Sequence, residues 1–293
     1  MLSRFLERIA DRIERADQLD QPSQLIADVV DKALANDRVT DLASGTPIGH
    51  PVHPLLVTIP LGSWSSSMIF DLTGDEDAAD ALIGIGLLSA LPTAITGLSD
   101  WRHTSGGEQR IGLVHGILNS VTVATYGLSL LARRTGRRKT GIALSVLGAS
   151  VMTASGWLGG HLSYALGVGV DTTAFQHSEQ EWTWIADVAE IPSGVLTQAD
   201  LGGVPLVLTR RGNDITVLAD RCTHRGGPLH EGELDDGCIV CPWHGSKFAL
   251  DGGVVGGPAT RPMAAYEVKV TDGQVYARRA DEPRTLRTRP VGV

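Results

Sequence analysis

The sequence is poor in cysteine and has no excess of basic residues, and each shortage excludes a class of protein. Three cysteines in 293 residues are too few for the disulfide framework of a small secreted scaffold. Lysine and arginine total 25 against 33 aspartates and glutamates, a net charge of −8, so we expect no nucleic-acid partner. A chain of this length has room for two domains.

Charged residues are missing from four long stretches in the first half of the chain. The stretches 54–70, 81–99, 111–132 and 140–170 contain no Asp, Glu, Lys or Arg, and each is about as long as a bilayer crossing. A soluble helix usually alternates an apolar stripe with a charged face, and these four stretches show no charged face. We therefore predict a four-helix transmembrane domain over residues 47–172. A soluble bundle of unusually apolar helices is the alternative.

Residues 1–46 show a different pattern. Apolar residues recur at helical spacing among balanced charges on both sides of Pro22. This predicts two amphipathic helices that lie at the membrane surface or against the bundle. The segment has no apolar core of the signal-peptide type, so we expect no cleavage.

The loop between the third and fourth apolar stretches predicts the orientation in the membrane. Residues 133–139 carry five basic side chains, which places this loop in the cytoplasm. With four crossings, both ends of the chain and its second half then lie on the opposite, outer side. The acidic loop 71–80 would share the cytoplasmic side with the basic loop.

Five histidines collect at one face of the predicted bundle if successive helices alternate in direction. They are His50, His53, His103, His115 and His161. Ionisable groups in or beside a membrane span are costly and by default mark a site. Three interpretations stay open: a haem b or other metal held by two imidazoles, a quinone site in which histidine and Asp100 or Glu108 handle protons, or a polar cap that meets water. His115 and His161 lie inside apolar segments and are the candidates for binding haem or quinone.

From Trp182 onward the pattern changes to short alternating segments. Examples are 204–209, 215–218 and 266–270, which are separated by Gly-Asn-Asp and Asp-Gly turns. Strands of this length joined by such turns are typical of antiparallel sheets. We predict an antiparallel all-β domain for this half of the chain.

Two short motifs in the second half each pair a cysteine with a histidine. They are Cys222-Thr-His224 and Cys241-Pro-Trp-His244, separated by 16 residues, which is enough for a hairpin that brings two loops face to face. Two thiolates and two imidazoles are the ligand set of an asymmetric [2Fe-2S] centre. A mononuclear Cys2His2 zinc site is the alternative, although zinc fingers usually place two like ligands in each motif.

The window CTHRGGPLHEGELDDGCIVCPWHGSKF closely resembles the Rieske-type ferredoxin family, and the resemblance covers residues 182–279. It implies a [2Fe-2S] cluster in which Cys222 and Cys241 bind the buried iron. The same resemblance implies that His224 and His244 bind the exposed iron, from which electrons leave. It also implies a loop containing Gly257 and Pro258 that covers the cluster.

The sequence departs from the respiratory branch of this family at three positions. That branch has a disulfide where this chain has Gly227 and Trp243, and a tyrosine where it has Phe248. Ser246, which donates a hydrogen bond to the cluster in that branch, is kept. Fewer hydrogen-bond donors stabilise a reduced cluster less, so we expect a lower potential than in quinol-oxidising complexes.

The first half resembles a family of uncharacterised four-helix membrane domains of the DUF2231 type. The resemblance rests on His53-Pro-Leu-Leu-Val57 and Gly159-Gly-His-Leu-Ser-Tyr164 and covers residues 47–172. It implies a membrane location and says little about a reaction.

These features predict a multi-domain, integral membrane protein that passes single electrons between a redox partner protein and a membrane haem or quinone. The expected domains are an amphipathic segment 1–46, the transmembrane domain 47–172, a linker 173–181, the Rieske domain 182–279 and a tail 280–293. A Rieske oxygenase would need a mononuclear iron site further on, and no histidine follows His244. A redox-sensing or ligand-binding membrane protein, or a ferredoxin component that feeds a separate oxygenase, stays open. Whether the chain itself is an enzyme stays open with them.

Overall fold

The computed structural model of the chain describes residues 2–176 and 180–279. Contacts divide the chain into two units, each made of two segments. The helical unit contains Met1–Ala35 and Val52–Val168, and the β unit contains Asn36–Pro51 and Gly169–Val293. The expected tail 280–293 and residues 177–179 of the expected linker lie outside the described residues.

In the described part of the chain, seven α-helices precede the strands. In chain order they are α1 (Leu2–Glu14), α2 (Asp20–Ala33), α3 (Asp37–Ser44), α4 (His53–Thr73), α5 (Glu76–Trp101), α6 (Gly106–Arg134) and α7 (Arg138–Tyr164). The last four are long and apolar enough to cross a membrane. The predicted four-helix bundle is therefore confirmed.

The four long helices form two hairpins, α4 with α5 and α6 with α7. The first hairpin turns at Gly74, whose φ of +82° ends α4 in a left-handed conformation. Asp75 then starts α5, because its side chain accepts a hydrogen bond from the backbone N–H of Ala78 at 3.1 Å. Each turn is so short that the two helices of a hairpin must run antiparallel.

A buried ionic cluster joins all four long helices at the end where the hairpins turn. Arg133 of α6 has a side chain with 0% exposure and binds Asp71 of α4 at 2.6 Å and Asp80 of α5 at 3.2 Å. Arg138 of α7 binds the same two carboxylates at 2.9 Å and 3.2 Å. Two of the five basic residues behind the predicted orientation are thus paired with carboxylates inside the unit, which weakens their value as an orientation signal.

The helices α1 and α2 pack against α6 in the same unit. Arg110 of α6 binds Asp17 at 2.7 Å and Asp20 at 2.6 Å, and Ala10 of α1 is fully buried. The hydrogen bonds from Arg110 lower the pKa of Asp20, whose carboxylate is thereby kept charged. The amphipathic helices thus use both apolar and charged contacts to the bundle.

Within residues 180–279 the β unit has ten strands, all paired antiparallel. They are β1 (Thr183–Asp187), β2 (Thr197–Leu201), β3 (Val204–Arg211), β4 (Asp214–Ala219), β5 (Glu233–Asp235), β6 (Cys238–Val240), β7 (Lys247–Ala249), β8 (Val254–Gly256), β9 (Tyr266–Thr271) and β10 (Gln274–Arg279). Three sheets result, with strand orders β1-β10-β9, β2-β3-β4 and β5-β6-β7-β8. The predicted antiparallel β domain is confirmed.

One hydrophobic core holds these sheets together. Leu206 and Leu208 of β3, Leu218 of β4 and Phe248 of β7 are fully buried within it. The apolar side of each strand faces this core, as the period of two in the sequence requires. The small sheet of β5 to β8 is the one that carries the second cysteine motif, because that motif connects β6 to β7.

Candidate metal centre

The two cysteine motifs lie in loops that share one backbone pattern. In the first loop the N–H of Gly226 donates to the carbonyl of Cys222 at 2.7 Å, and in the second the N–H of Gly245 donates to that of Cys241 at 3.1 Å. Both glycines have positive φ, +74° and +69°, which favours glycine at each place. Two matching turns therefore present the predicted ligands.

A second pair of backbone hydrogen bonds closes each loop. The N–H of Cys222 donates to the carbonyl of Gly227 at 2.9 Å, and the N–H of Cys241 donates to that of Ser246 at 2.8 Å. Each cysteine is thus fixed through both its N–H and its carbonyl. A loop held this way keeps its sulfur in one place without help from the side chains around it.

The structure brings the four predicted ligands together. Cys222 and Cys241 are buried, with exposures of 1% and 3%. The imidazoles of His224 and His244 are half-buried, and their ring centroids lie 5.1 Å apart with the rings nearly perpendicular. The sulfur ligands are therefore inside and the nitrogen ligands at the surface, as the resemblance implies.

Backbone N–H groups point at both sulfurs. The N–H groups of His224 and Arg225 donate to the sulfur of Cys222, and those of Trp243 and His244 donate to the sulfur of Cys241. A hydrogen bond from Cys222, together with the two backbone N–H groups, lowers the pKa of the Cys241 thiol to about 7, against the effect of burial. The hydrogen bond to Cys241 and burial raise the pKa of Cys222. The pair therefore favours one negative charge, on the sulfur of Cys241, which accepts from the thiol of Cys222.

The imidazole of His244 is prepared for binding a metal. Burial, followed by the nearby charge of Arg225, lowers its pKa. A lower pKa keeps the ring neutral at neutral pH, and only a neutral imidazole has the lone pair that binds a metal.

The donor set and its spacing fit a cluster of two irons. A [2Fe-2S] cluster needs only two protein ligands at each iron, which agrees with one pair of sulfurs inside and one pair of imidazoles outside.

Gly227 and Trp243 stand where the respiratory branch has its disulfide, and here they lie against each other. A Cβ on Gly227 would come within 2.9 Å of the sulfur of Cys241 and 3.1 Å of the Trp243 ring. The indole therefore packs into space that the missing side chain of Gly227 leaves open. The contact between Gly227 and Trp243 thus joins the two loops where the respiratory branch has its disulfide.

The loop with Gly257 and Pro258 is tied to Ser246. The fully buried hydroxyl of Ser246 accepts a hydrogen bond from the N–H of Ala259 at 3.1 Å, which leaves its own proton to donate. Gly257 has a φ of +88°, and a Cβ there would lie 2.7 Å from the Cα of Ser246. Only glycine fits this position.

The segment Asn36–Pro51 binds the same loop from its other side. Asp41 of α3 accepts a hydrogen bond from the N–H of Gly257 at 2.9 Å. The hydroxyl of Thr46 donates to the carbonyls of Gly257 at 2.7 Å and Ala259 at 3.2 Å. The sequence did not predict this contact, because the partners lie 211 to 216 residues apart.

Residues 36–46 were expected to belong to the amphipathic segment 1–46, although sequence signals could have marked α3 as a separate helix. Asn36 caps α3 by accepting a hydrogen bond from the N–H of Arg38 at 3.0 Å, and Gly45 ends the helix with a φ of +89°. A cap and a stop that enclose eight residues define a short helix of its own. The cap and the stop do not show which of the two units α3 belongs to.

The two membrane histidines that were candidates for haem or quinone lie in different networks. His115 has its Nδ1 at 2.8 Å from the carbonyl of Ser155 and its Nε2 at 3.0 Å from the amide nitrogen of Asn119. His161 has its Nε2 at 3.0 Å from a carboxylate oxygen of Glu14 on α1, and its ring stacks on Trp157.

Comparison with known proteins confirms both resemblances. The family described as "Rieske [2Fe-2S] domain" matches residues 181–267, and the family described as "Predicted membrane protein (DUF2231)" matches residues 49–172. Four apolar helices and the second of these families support an integral membrane location.

Individual relatives match the β unit. Ferredoxin CarAc of Metapseudomonas resinovorans is 33% identical over 99 residues, which are 33% of this chain and 92% of that protein. The iron-sulfur subunit of the cytochrome b6-f complex of Chlorobaculum tepidum is 30% identical over 31% of this chain and only half of that subunit. A solved complex of reduced oxygenase and oxidized ferredoxin in carbazole 1,9a-dioxygenase contains a chain that is 31% identical, with 36% of this chain and 100% of that chain covered and a TM-score of 0.33. The family match and the two sequence relatives, the ferredoxin and the iron-sulfur subunit, support electron transfer.

Proposed function

The chain belongs to the Rieske [2Fe-2S] family through its β unit, and from that premise we propose that Cys222, His224, Cys241 and His244 hold a [2Fe-2S] cluster. When bound, the cluster supplies one-electron oxidation and reduction. The two buried cysteines keep the inner iron away from water, and the half-buried imidazoles lie where a partner protein can approach. The single observation that carries the proposal is the pair of matching loops, each with two backbone N–H groups aimed at its sulfur.

The proposed function is that of a membrane-anchored electron carrier. The helical unit anchors the chain through four crossings, and the cluster exchanges single electrons with a redox partner protein and with a haem or quinone in the membrane. Four apolar helices and the histidines of α4, α6 and α7 support this part of the proposal. We place the β unit on the outer side of the membrane by the basic residues of the loop 133–139 that remain unpaired with Asp71 and Asp80.

Metal and sulfide analysis of the full chain tests the cluster. Anaerobically purified protein in detergent should contain two irons and two acid-labile sulfides per chain, with the paramagnetic spectrum of a reduced [2Fe-2S] centre. Cys222→Ser and Cys241→Ser should each abolish that spectrum. Cys238→Ser is the matched control, because Cys238 lies in β6 outside both loops. One zinc per chain without sulfide would reject the proposal.

A ferredoxin that feeds a separate oxygenase is the second candidate, and the residues around the second loop favour it. Phe248 is fully buried and has no hydroxyl, and Gly227 with Trp243 replaces the disulfide of the respiratory branch. Rieske potentials span about −150 to +300 mV. A redox titration that places the cluster near the low end of this range would favour the ferredoxin role, and a value near the high end would favour contact with quinol.

A further inference from the structure

The two hairpins of the helical unit are copies of one another. Residues 53–101 align with 115–163 without a gap, so that each residue meets the one 62 positions later. Identical pairs include His53 with His115, Ser67 with Ser129, Gly74 with Gly136, Gly86 with Gly148, and Gly97 with Gly159. The helices α4 and α5 are thus repeated as α6 and α7.

The turns of the two copies carry opposite charges at matched positions. The pairs are Asp71 with Arg133, Asp75 with Arg137, Glu76 with Arg138, and Asp77 with Lys139. The buried ion pair between Asp71 and Arg133, at 2.6 Å, therefore joins two equivalent positions. Opposite charges let one copy attract the other, which two identical turns could not do.

Contacts inside the hairpins repeat as well. Trp64 lies on Gly86, where a Cβ would be 2.2 Å from the indole, and Tyr126 lies on Gly148, where a Cβ would be 2.9 Å from the phenol ring. Trp64 and Tyr126 are themselves equivalent positions, and their rings stack at 4.5 Å. The same side of α4 and of α6 thus meets in the middle of the bundle.

Helical geometry puts the two equivalent histidines on that side. His53 precedes Trp64 by 11 residues and Asp71 by 18, which are close to three and five full turns at about 3.6 residues per turn. Trp64 and Asp71 both contact the equivalent residues of the second hairpin directly, which are Tyr126 and Arg133. His53 and His115 therefore lie on the facing sides of α4 and α6.

The two imidazoles are held in the same way. Nδ1 of His53 lies 3.0 Å from the carbonyl of Thr93, and Nδ1 of His115 lies 2.8 Å from that of Ser155, in each case 40 residues further along. A carbonyl accepts only from a protonated nitrogen, so Nδ1 carries the proton and Nε2 has the lone pair. A histidine that binds a metal through Nε2 typically has this arrangement.

The pair of equivalent histidines differs from the Trp64–Tyr126 and Asp71–Arg133 pairs. In the described part of the chain no hydrogen bond or ring contact joins His53 to His115. The helix positions against which the two rings lie are occupied by glycine, Gly97 beside His53 and Gly159 beside His115. Two imidazoles on facing helices, each with Nδ1 on a carbonyl and Nε2 as its remaining nitrogen, are the ligand pair of a bis-histidine iron porphyrin.

We propose that His53 and His115 are the two axial ligands of one haem b in the helical unit. The inference rests on the proposed function, in which a membrane haem or quinone exchanges electrons with the cluster, and it selects haem and names the pair. His161, a candidate from the sequence, is not part of the pair. Its Nε2 is bound to Glu14, and its counterpart in the first copy is Ser99.

Asn119 provides a discriminating variant. Its amide donates to Nε2 of His115 at 3.0 Å, so it must rotate away before that nitrogen can bind iron. The equivalent position beside His53 is Val57. Asn119→Val therefore gives the second hairpin the residue that the first has at this position, and the haem content should stay equal or rise. If His115 had only a structural role, Asn119→Val would remove its hydrogen-bond partner, and neither the native chain nor the variant would contain haem.

The experiment uses the full chain, produced in cells supplied with a haem precursor and purified in detergent. We expect one haem per chain by pyridine haemochromogen assay, with a sharp reduced band and a low-spin ferric spectrum. His53→Ala and His115→Ala should each lose most of the haem. His50→Ala and His161→Ala are the controls and should keep it. His115→Met offers a different axial ligand, so it should shift the band and raise the haem potential.

The results separate this inference from the proposed function. The helical circular dichroism and the unfolding temperature of each histidine variant in detergent report whether its helical unit has folded. Native protein with a cluster but no haem would overturn the inference and leave the cluster proposal standing. Haem that survives both His53→Ala and His115→Ala would overturn it as well. Haem without a cluster would reject the proposed function while keeping the histidine pair.

Discussion

Replacing Thr46 with valine tests the clamp that α3 and its following turn place on the loop over the cluster. Valine has the shape of threonine and lacks the hydroxyl that donates to the carbonyls of Gly257 and Ala259. One proton serves both acceptors, so the change removes one shared hydrogen bond. Because Ala259 is fully buried, its carbonyl would be left without that partner.

The size of the effect follows from these contacts. One hydrogen bond contributes about 1 kcal/mol, and a buried acceptor left unsatisfied adds to the loss. A total of about 1 to 2 kcal/mol raises the open fraction of the loop roughly 5-fold to 30-fold. If iron is removed from the open form, the rate of cluster loss should rise by the same factor.

The assay follows the visible absorbance of the cluster while a strong iron chelator is present in excess. Thr46→Ser keeps the hydroxyl and should bleach at nearly the native rate, whereas Thr46→Val should bleach several times faster. Asp41→Ala removes the side-chain oxygen that accepts from the N–H of Gly257, and it should act in the same direction. Equal bleaching rates for the serine and valine variants would refute the clamp.

Three further changes probe the cluster loops and the ionic cluster. Ser246→Ala removes the buried hydroxyl beside the cluster, and a redox titration should show a potential lower by roughly 60 mV, the equivalent of about 1.4 kcal/mol for one electron. Gly227→Ala would press a methyl group to 2.9 Å from the sulfur of Cys241, so iron analysis should show a chain with little or no cluster. Arg133→Met leaves the buried Asp71 with Arg138 as its remaining partner, so the cost should stay below the value of about 3 to 5 kcal/mol for a fully broken buried pair, and the unfolding temperature in detergent should fall. The exposed neighbour Arg134 is its control, and Arg134→Met should change that temperature little.

The predictions that came from local pattern and family resemblance agree with the structure. Four uncharged stretches predicted α4 to α7, and alternating segments predicted the antiparallel strands. The spacing of Cys222, His224, Cys241 and His244 was enough to expect two facing loops, because each ligand pair fits within one turn. Both family resemblances were confirmed. The identity of the four residues as ligands stays a prediction.

Features that depend on distant partners could not be predicted in the same way. Nothing near Asp41 or Thr46 in the sequence indicates a bond to a loop more than 200 residues later. The role of Arg133 was hidden too, because a basic residue after an apolar helix is read first as an orientation signal. His161 appeared equivalent to His115 by position alone, and only the contact to Glu14 distinguishes them.

The clamp also has a consequence for how the chain is made. Thr46 leaves the ribosome before any of the four long helices, while Gly257 follows 211 residues later. At about 5 to 20 residues per second this is a delay of roughly 10 to 40 seconds. During that interval α3 has no partner loop to bind. The cofactor pocket can therefore be sealed only after translation has delivered every membrane helix, and a fragment that starts at residue 169 would contain all four ligands and lack the seal.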